Sequence, residues 1–221
     1  MTIKKPTSLI LTFACCVLSH VTAQEISSLA QAPATGVNIN QSTVTNDEPG
    51  GVSVRYLNES QRRGASQTFE WNTNGKMTGF GIKISAQAAA RYPLRDPQKF
   101  EIAIHEISNP LHGRLVVNRL ALLPVTLDAS LVKAGHYLYF TLATPLPLKK
   151  YVAYGFHIRP VELVDGNHLH LAWGKGAETY QAGVASMTLG IPYNDGDGYG
   201  REPAARDFDL VFFTTSERSD N

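Results

Sequence analysis

Short stretches of β-forming residues follow one another along most of the chain, and turn-forming residues separate each stretch from the next. The stretches are rich in Val, Ile, Phe and Tyr, and many alternate apolar with polar positions, as strands with one buried face do. Segments between them, such as NTNG, SNPLHG and VDGN, carry the Gly, Pro, Asn and Asp typical of turns. The pattern predicts an all-β fold, a two-sheet antiparallel β-sandwich of jelly-roll-like topology.

The predicted strands cover residues 52–57, 66–71, 77–86, 99–107, 114–120, 137–143, 150–158, 168–173, 183–189 and 207–215. The segment AQAAARY at 86–92 predicts a helical turn instead, because alanine favours helix and the stretch lacks β-branched residues.

Three segments lie outside the predicted β-sandwich domain, which spans residues 51–215. Residues 1–23 have the charged start, short apolar core and small-residue ending (VTA) of a signal peptide. Residues 24–50 are polar and have no sustained period, which predicts a flexible leader that contains at most one short strand. Residues 216–221 form a polar tail without a sorting anchor.

The composition of the mature chain limits its location and its partners. Both cysteines, Cys15 and Cys16, fall within the predicted signal peptide, so we expect neither disulfides nor thiol chemistry. Removing Lys4 and Lys5 from the 20 basic residues leaves 18 against 19 acidic ones, a net charge of −1. Such a chain lacks the basic surface that nucleic-acid binding needs, and no later segment is apolar enough to span a membrane. We therefore expect a secreted or periplasmic bacterial protein.

Four motifs, in this order along the chain, resemble a family of jelly-roll domains in secreted bacterial proteins. They are ASQTFEWNTNGKMTGFGIKIS, FEIAIHEISNPLHGRLV, LYFTLATPLPLKKYVAYGFHI, and YQAGVA followed by DFDLVFFT. Together they cover about residues 52–215. The function of this family is largely unknown, and many members carry a C-terminal sorting anchor. The resemblance implies a jelly-roll fold in an extracellular setting, and analogy with carbohydrate-binding jelly rolls implies a glycan ligand.

The loop YNDGDGYG raises the question of a calcium site. An EF-hand that starts at Asp195 would need a glutamate at its twelfth position, where the chain has Arg206. A different calcium site remains open if Asp195 and Asp197 meet Asp207 and Asp209 on the last strand. The alternative, which the sequence favours, is a turn, because Gly and Asp tolerate left-handed backbone angles. Structural calcium is thus the one cofactor that we consider.

Two histidines, His168 and His170, alternate with Leu169, Leu171 and Trp173 in one predicted strand. Their spacing places both imidazoles on one face, where they could bind a transition metal. The sequence provides no third ligand at a suitable distance. The favoured interpretation is therefore an outward-facing histidine pair beside a buried stripe of Leu, Leu and Trp.

A polysaccharide lyase is one alternative function on a jelly-roll fold. TYQAGVASM and IAIHEI resemble motifs of alginate lyases, in which a cation, a base and a proton donor catalyse β-elimination. Arg91 or Arg95 would neutralise the carboxylate of a uronate, His105 would be the base and Tyr180 the donor. The RxELR strand of those enzymes is absent from this sequence, which counts against the alternative.

Non-catalytic binding is the function that the sequence favours. Sugar-binding jelly rolls stack aromatic rings on sugar C–H surfaces and fix hydroxyl groups with polar neighbours. Tyr92, Tyr193 and Tyr199 are candidates in loops, whereas Tyr151 and His157 are predicted to share a strand face. The expected partner is an extracellular polysaccharide. A structural or surface-assembly protein without a small ligand is the remaining alternative.

Overall fold

The alternation of apolar residues along the strands gives the sandwich its two inner faces. The computed structural model describes residues 23–41, 51–58, 62–108, 116–162, 168–175, 182–183, 185–189 and 208–217. In these residues the strands are β1 (Ala23–Leu29), β2 (Val37–Asn40), β3 (Val52–Tyr56), β4 (Arg62–Glu70), β5 (Met77–Lys83), β6 (Gln98–Ile107), β7 (Val116–Leu127), β8 (Tyr137–Leu146), β9 (Ala153–Pro160), β10 (Leu169–Leu171), β11 (Trp173–Lys175), β12 (Ala185–Leu189), β13 (Phe208–Leu210) and β14 (Phe212–Ser216). The helix α1 (Ala86–Arg91) occupies the predicted helical turn.

The strands form two main antiparallel sheets. The first sheet has the order β1-β8-β5-β14-β2, and the second has the order β10-β3-β4-β9-β6-β7, with β12 paired to β4. Strands β11 and β13 form a separate pair. This arrangement confirms the predicted antiparallel β-sandwich of jelly-roll type.

Two predicted strands are each divided in two where the chain passes between sheets. HLHLAW is interrupted at Ala172, and DFDLVFFTT is interrupted at Val211. At these breaks the Ala172 amide donates to the Lys83 carbonyl, and the Val211 amide donates to the Ala172 carbonyl, over 2.8 and 3.0 Å. The backbone groups of the breaks are therefore satisfied by one another and by the end of β5.

Stacked aromatic rings join the two sheets. Phe80 on β5 stacks on Phe140 of the same sheet at 5.1 Å and on Phe156 of the second sheet at 5.3 Å between ring centroids. Phe156 also meets Phe212 of the first sheet edge to face at 5.8 Å. All four side chains are fully buried. Each contributes on the order of 1.5–3 kcal/mol by removal of its surface from water, so this stack fixes how the sheets face each other.

The segment predicted as a flexible leader contributes two strands to the first sheet. Strand β1 pairs with β8 along one edge, and β2 pairs with β14 along the other. Ile26 packs against the core, and Ile39 is buried within it. The prediction of a flexible leader is therefore wrong for residues 24–29, whereas β2 is the one short strand that it allowed. Its polar composition misled because an edge strand obtains its backbone hydrogen bonds from a neighbour and needs few apolar side chains of its own.

The end of β1, the start of β2 and Ala32 between them help to cover the outward face of the first sheet. A small hydrophobic cluster on this face contains Tyr137, Ala172, Val211 and Phe213, and Leu29, Ala32 and Val37 pack against it. Phe213 is fully buried, and its ring lies over Gly81 so closely that a Cβ there would overlap it. The Tyr137 face of β8 is therefore buried, in part by Leu29 and Ala32.

We predict that the first strands are needed for stability. A chain that starts at residue 37 lacks β1 and loses Leu29 and Ala32 from the cluster around Phe213. We expect its free energy of unfolding to be at least about 2 kcal/mol lower than that of a chain that starts at residue 24, because apolar surface of Tyr137 and Phe213 becomes exposed. Urea unfolding of both chains measures this. Equal stability would contradict the placement, and Glu25→Gln, at an exposed position of β1, is the control.

Candidate functional site

The register of the second sheet brings a group of basic side chains together on its outward face. On β9 the residues Tyr154, Phe156 and Ile158 face the core, so the intervening His157 and Arg159 face outward. The neighbouring strand β6 places Ala103 opposite His157 and Glu101 opposite Arg159. His105, two residues beyond Ala103, lies on the same face. We call Glu101, His105, His157, Arg159 and the nearby Arg62 the basic cluster.

Hydrogen bonds hold the two arginines of the basic cluster. Arg159 donates from Nε and Nη2 to Oε2 of Glu101, over 2.9 and 2.7 Å. Arg62 donates from Nη2 to the Pro160 carbonyl over 3.1 Å, and its guanidinium lies 4.6 Å from the centroid of the Tyr56 ring. Charge-assisted bonds in such partly buried places are stronger than those between neutral groups. They fix both arginines beside the histidines.

Burial keeps His157 neutral. Removal from water is the main cause that lowers the pKa of His157 from 6.5 to about 3, and the positive charges of Arg159, His105 and Arg62 lower it further. His105 is also fully buried. The structure thus brings together two residues that the sequence placed in different roles, His105 as a lyase base and His157 as a ligand contact. Their burial points to a structural role for both.

A second group of side chains lies where α1 meets β10. Ile84 forms a β-bridge with Leu171, and the Ser85 amide donates to the His170 carbonyl over 2.9 Å. The Ser85 hydroxyl then caps α1 by accepting from the Ala88 amide. These contacts fix the start of the helix against the strand. They place Tyr92, at the end of α1, over the side chains of β10.

Tyr92 and the two histidines form a continuous aromatic surface. The Tyr92 ring stacks on the His170 ring at 5.6 Å and 23°, and the His168 ring lies 5.7 Å from that of His170. Opposite His170 on β3 is Ser53. The Arg91 guanidinium lies 5.2 Å from the Tyr92 centroid. We call Ser53, Arg91, Tyr92, His168 and His170 the aromatic shelf.

Burial differs across the aromatic shelf. His170 is 5% exposed beneath Tyr92, whereas Tyr92 itself retains 49% exposure. Leu169 and Leu171 are buried in the core on the opposite face, as the sequence predicts, whereas Trp173 is only partly buried. Sequence reasoning identified Tyr92 and the outward histidine pair separately. It missed their contact, which joins residues far apart in the chain, and it missed Ser53, Arg62 and Arg159.

Tyr151 does not share a strand face with His157. It precedes β9 in a turn, has a left-handed backbone with φ 63°, and is 69% exposed. The Tyr151 amide donates to the Trp71 carbonyl over 2.7 Å, which holds this turn in place. The predicted strand from residue 150 is thus wrong at its start. The Lys150 ammonium lies 4.6 Å from the Tyr151 ring centroid. This tyrosine therefore contacts a lysine and not the basic cluster around His157.

The described part of the predicted calcium site is occupied by a hydrogen-bond network. Asp209 is buried, and its Oδ1 accepts from Nε2 of Gln67 over 2.6 Å, while the Leu210 amide donates to Oε1 of Gln67. These bonds tie β13 to β4. The described residues contain no group of three His, Cys, Asp or Glu side chains placed to hold a metal. Asp195, Asp197 and Asp207 lie outside the described residues, and calcium there stays a prediction.

The described residues do not assemble the lyase set. Arg91 lies beside Tyr92 at β10, whereas His105 lies on β6, four strands away in the sheet, or roughly 19 Å at the usual strand spacing. Arg95 is exposed in the loop before β6. Tyr180, together with the loop candidates Tyr193 and Tyr199, lies outside the described residues.

Comparisons with known proteins include a weak structural likeness. No family model matches the sequence, and no curated protein matches it. The fold is similar to part of a solved structure of the cysteine protease and lectin-like domains of Cwp84, a surface layer associated protein of Clostridium difficile. The identity is 10%, the TM-score is 0.39, and the match covers 70% of this chain and 32% of that one. The chain thus spans about a third of that structure.

Among the described residues, no helix has both the length and the apolar character needed to cross a membrane.

We predict that His157 makes the stability of the protein depend on pH. Because its pKa is about 3 in the folded state and 6.5 when unfolded, the unfolded state binds more protons between these values. Stability therefore falls as the pH decreases from 6.5 towards 3, by up to about 1.4 kcal/mol per pH unit from this group. In His157→Gln the free energy of unfolding should depend less steeply on pH between about 3 and 6.5, and its dependence between pH 7 and 8 should be unchanged. Urea unfolding at several pH values measures it, and an unaltered slope would refute the assignment.

Proposed function

We propose that the protein is an exported, non-catalytic β-sandwich module that binds an extracellular glycan through the aromatic shelf. The observation that carries the proposal is Tyr92, whose ring is stacked on a buried histidine yet half exposed to solvent. Export is supported by the signal-like sequence of residues 1–23. A binding role is supported by the exposed and restrained ring of Tyr92 and by the polar side chains around it.

The geometry of Tyr92 suits the recognition of a sugar ring. Sugars present C–H groups on one face of the ring, and these pack on the face or edge of an aromatic side chain. An exposed tyrosine on a flexible loop would lose side-chain freedom on binding. The stacking on His170, and the backbone hydrogen bond from the Tyr92 amide to the Ala88 carbonyl, already restrict this ring. Such preorganisation lowers the entropic cost of binding.

The polar members of the aromatic shelf supply partners for sugar hydroxyl groups. The hydroxyl of Ser53 is buried and makes no hydrogen bond within the described part of the chain. His168 adds an imidazole at the edge of the shelf, and Arg91 adds N–H donors beside Tyr92. A stacking ring bordered by donors and acceptors is the usual composition of a carbohydrate site.

We predict that Tyr92→Ala lowers glycan affinity by about tenfold or more, because the stacking surface is lost. The measurement is isothermal titration calorimetry of residues 24–221 against a panel of neutral and acidic oligosaccharides. Tyr151→Ala is the matched control, because this tyrosine is also exposed but lies outside the shelf. It should bind as the wild type does.

Two outcomes would overturn this proposal. If Tyr151→Ala weakened binding as much as Tyr92→Ala, the shelf would not be the site. If no oligosaccharide bound the wild-type chain, the alternative of a structural role at the cell surface would replace the glycan-binding one.

A further inference from the structure

Arg91 differs from the other arginines that have been described above. It is exposed at the end of α1, and its guanidinium lies 5.2 Å from the Tyr92 ring centroid. No carboxylate of the described residues forms an ion pair with it. Arg159, by contrast, is held by Glu101 in the basic cluster. Over its most exposed ring, the aromatic shelf thus carries a positive charge that pairs with no carboxylate of the described residues.

The position of Arg91 suits a ligand that carries a carboxylate. The guanidinium is planar, remains charged at all relevant pH values and presents paired N–H donors that match the two oxygens of a carboxylate. A hexuronic acid bears its carboxylate on the carbon next to the ring. Because Arg91 lies over the Tyr92 ring and His170 stacks on it, a uronic acid would pack along the exposed edge of this ring, with its carboxylate towards the guanidinium.

Helix stabilisation is the other role that Arg91 could have. A cation in the last turn of a helix interacts favourably with the carbonyl ends of the helix dipole. This effect is small for an exposed residue, and it would alter stability rather than ligand preference. The two roles therefore differ in what the loss of Arg91 changes.

We propose that the aromatic shelf selects acidic glycans, with Tyr92 packing on a uronic acid ring and Arg91 binding its carboxylate. This inference rests on the proposed function and names the class of sugar that the same site binds. Arg91 is the specificity-determining residue, and Tyr92 supplies affinity for the ring itself. Since the pair is exposed, the carboxylate contribution is modest and decreases with salt concentration.

The test compares each acidic sugar with an uncharged counterpart. Tetramers of galacturonate, mannuronate and guluronate are titrated into residues 24–221 beside their methyl esters, which keep the ring and remove the charge. We expect at least one free acid to bind about threefold to fivefold more tightly than its ester. Arg91→Ala should bind the acid and the ester equally, whereas Arg95→Ala, at another exposed arginine, should keep the preference.

The outcomes separate this inference from the function on which it rests. If wild type binds the esters or neutral sugars as tightly as the acids, and Tyr92→Ala weakens this binding, the acidic selection is wrong and the glycan site stands. If Arg91→Ala keeps the preference for acids, Arg91 is not the selecting residue and the inference is overturned. If no sugar binds in a Tyr92-dependent manner, both fail. The urea unfolding midpoint of Arg91→Ala should match that of wild type.

Discussion

The contact between Phe80 and Phe156 is the interaction on which the arrangement of the candidate site depends. It joins the first sheet to the second at 5.3 Å between stacked rings, deep in the core. Phe80 lies on β5, and that strand leads directly to Ile84, which bridges to Leu171 on β10 of the second sheet. The helix that carries Tyr92 follows at once. A shift between the sheets would therefore move Tyr92 relative to His170.

Histidines on the second sheet occupy two different environments. His157 is surrounded by Arg62, Arg159 and His105, and its buried ring stays neutral well below neutral pH. His170 is also buried, but beneath an exposed tyrosine ring and beside a strand end. The first environment makes a charge costly and ties stability to pH. The second presents a stacked aromatic surface to solvent, and it is here that we locate binding.

Most of the fold could be predicted from local sequence patterns, because a strand with one buried face alternates apolar and polar residues regardless of its partners. Most strands from Val52 onward follow this rule, and the helical turn at 86–92 follows from its run of alanines. Strands β1 and β2 do not show this alternation, since their stability comes from pairing with β8 and β14. Tyr151 was wrongly predicted to lie in a strand. It has a left-handed backbone in a turn, and the aromatic and apolar residues that follow it give no indication of that turn.

The candidate site was harder to predict than the fold because its parts are distant in sequence. Tyr92 and His170 meet only through the bridge from Ile84 to Leu171, and His105 meets His157 only through the pairing of β6 with β9. Tyr92 and the histidines were recognisable as candidates on their own, whereas Ser53, Arg62 and Arg159 were not. Predicting which of these residues contact one another would have required the strand register of the second sheet.

The most direct test of the account is a map of backbone amide chemical shifts as an acidic oligosaccharide is added to residues 24–221. If the aromatic shelf is the binding site, the largest changes fall on Arg91 and Tyr92, on His168 to Leu171, and on Ser53. The amides of β6 and β9 that carry the basic cluster remain unchanged. Changes centred on β6 and β9, or on the turn at Tyr151, would contradict the assignment of the shelf.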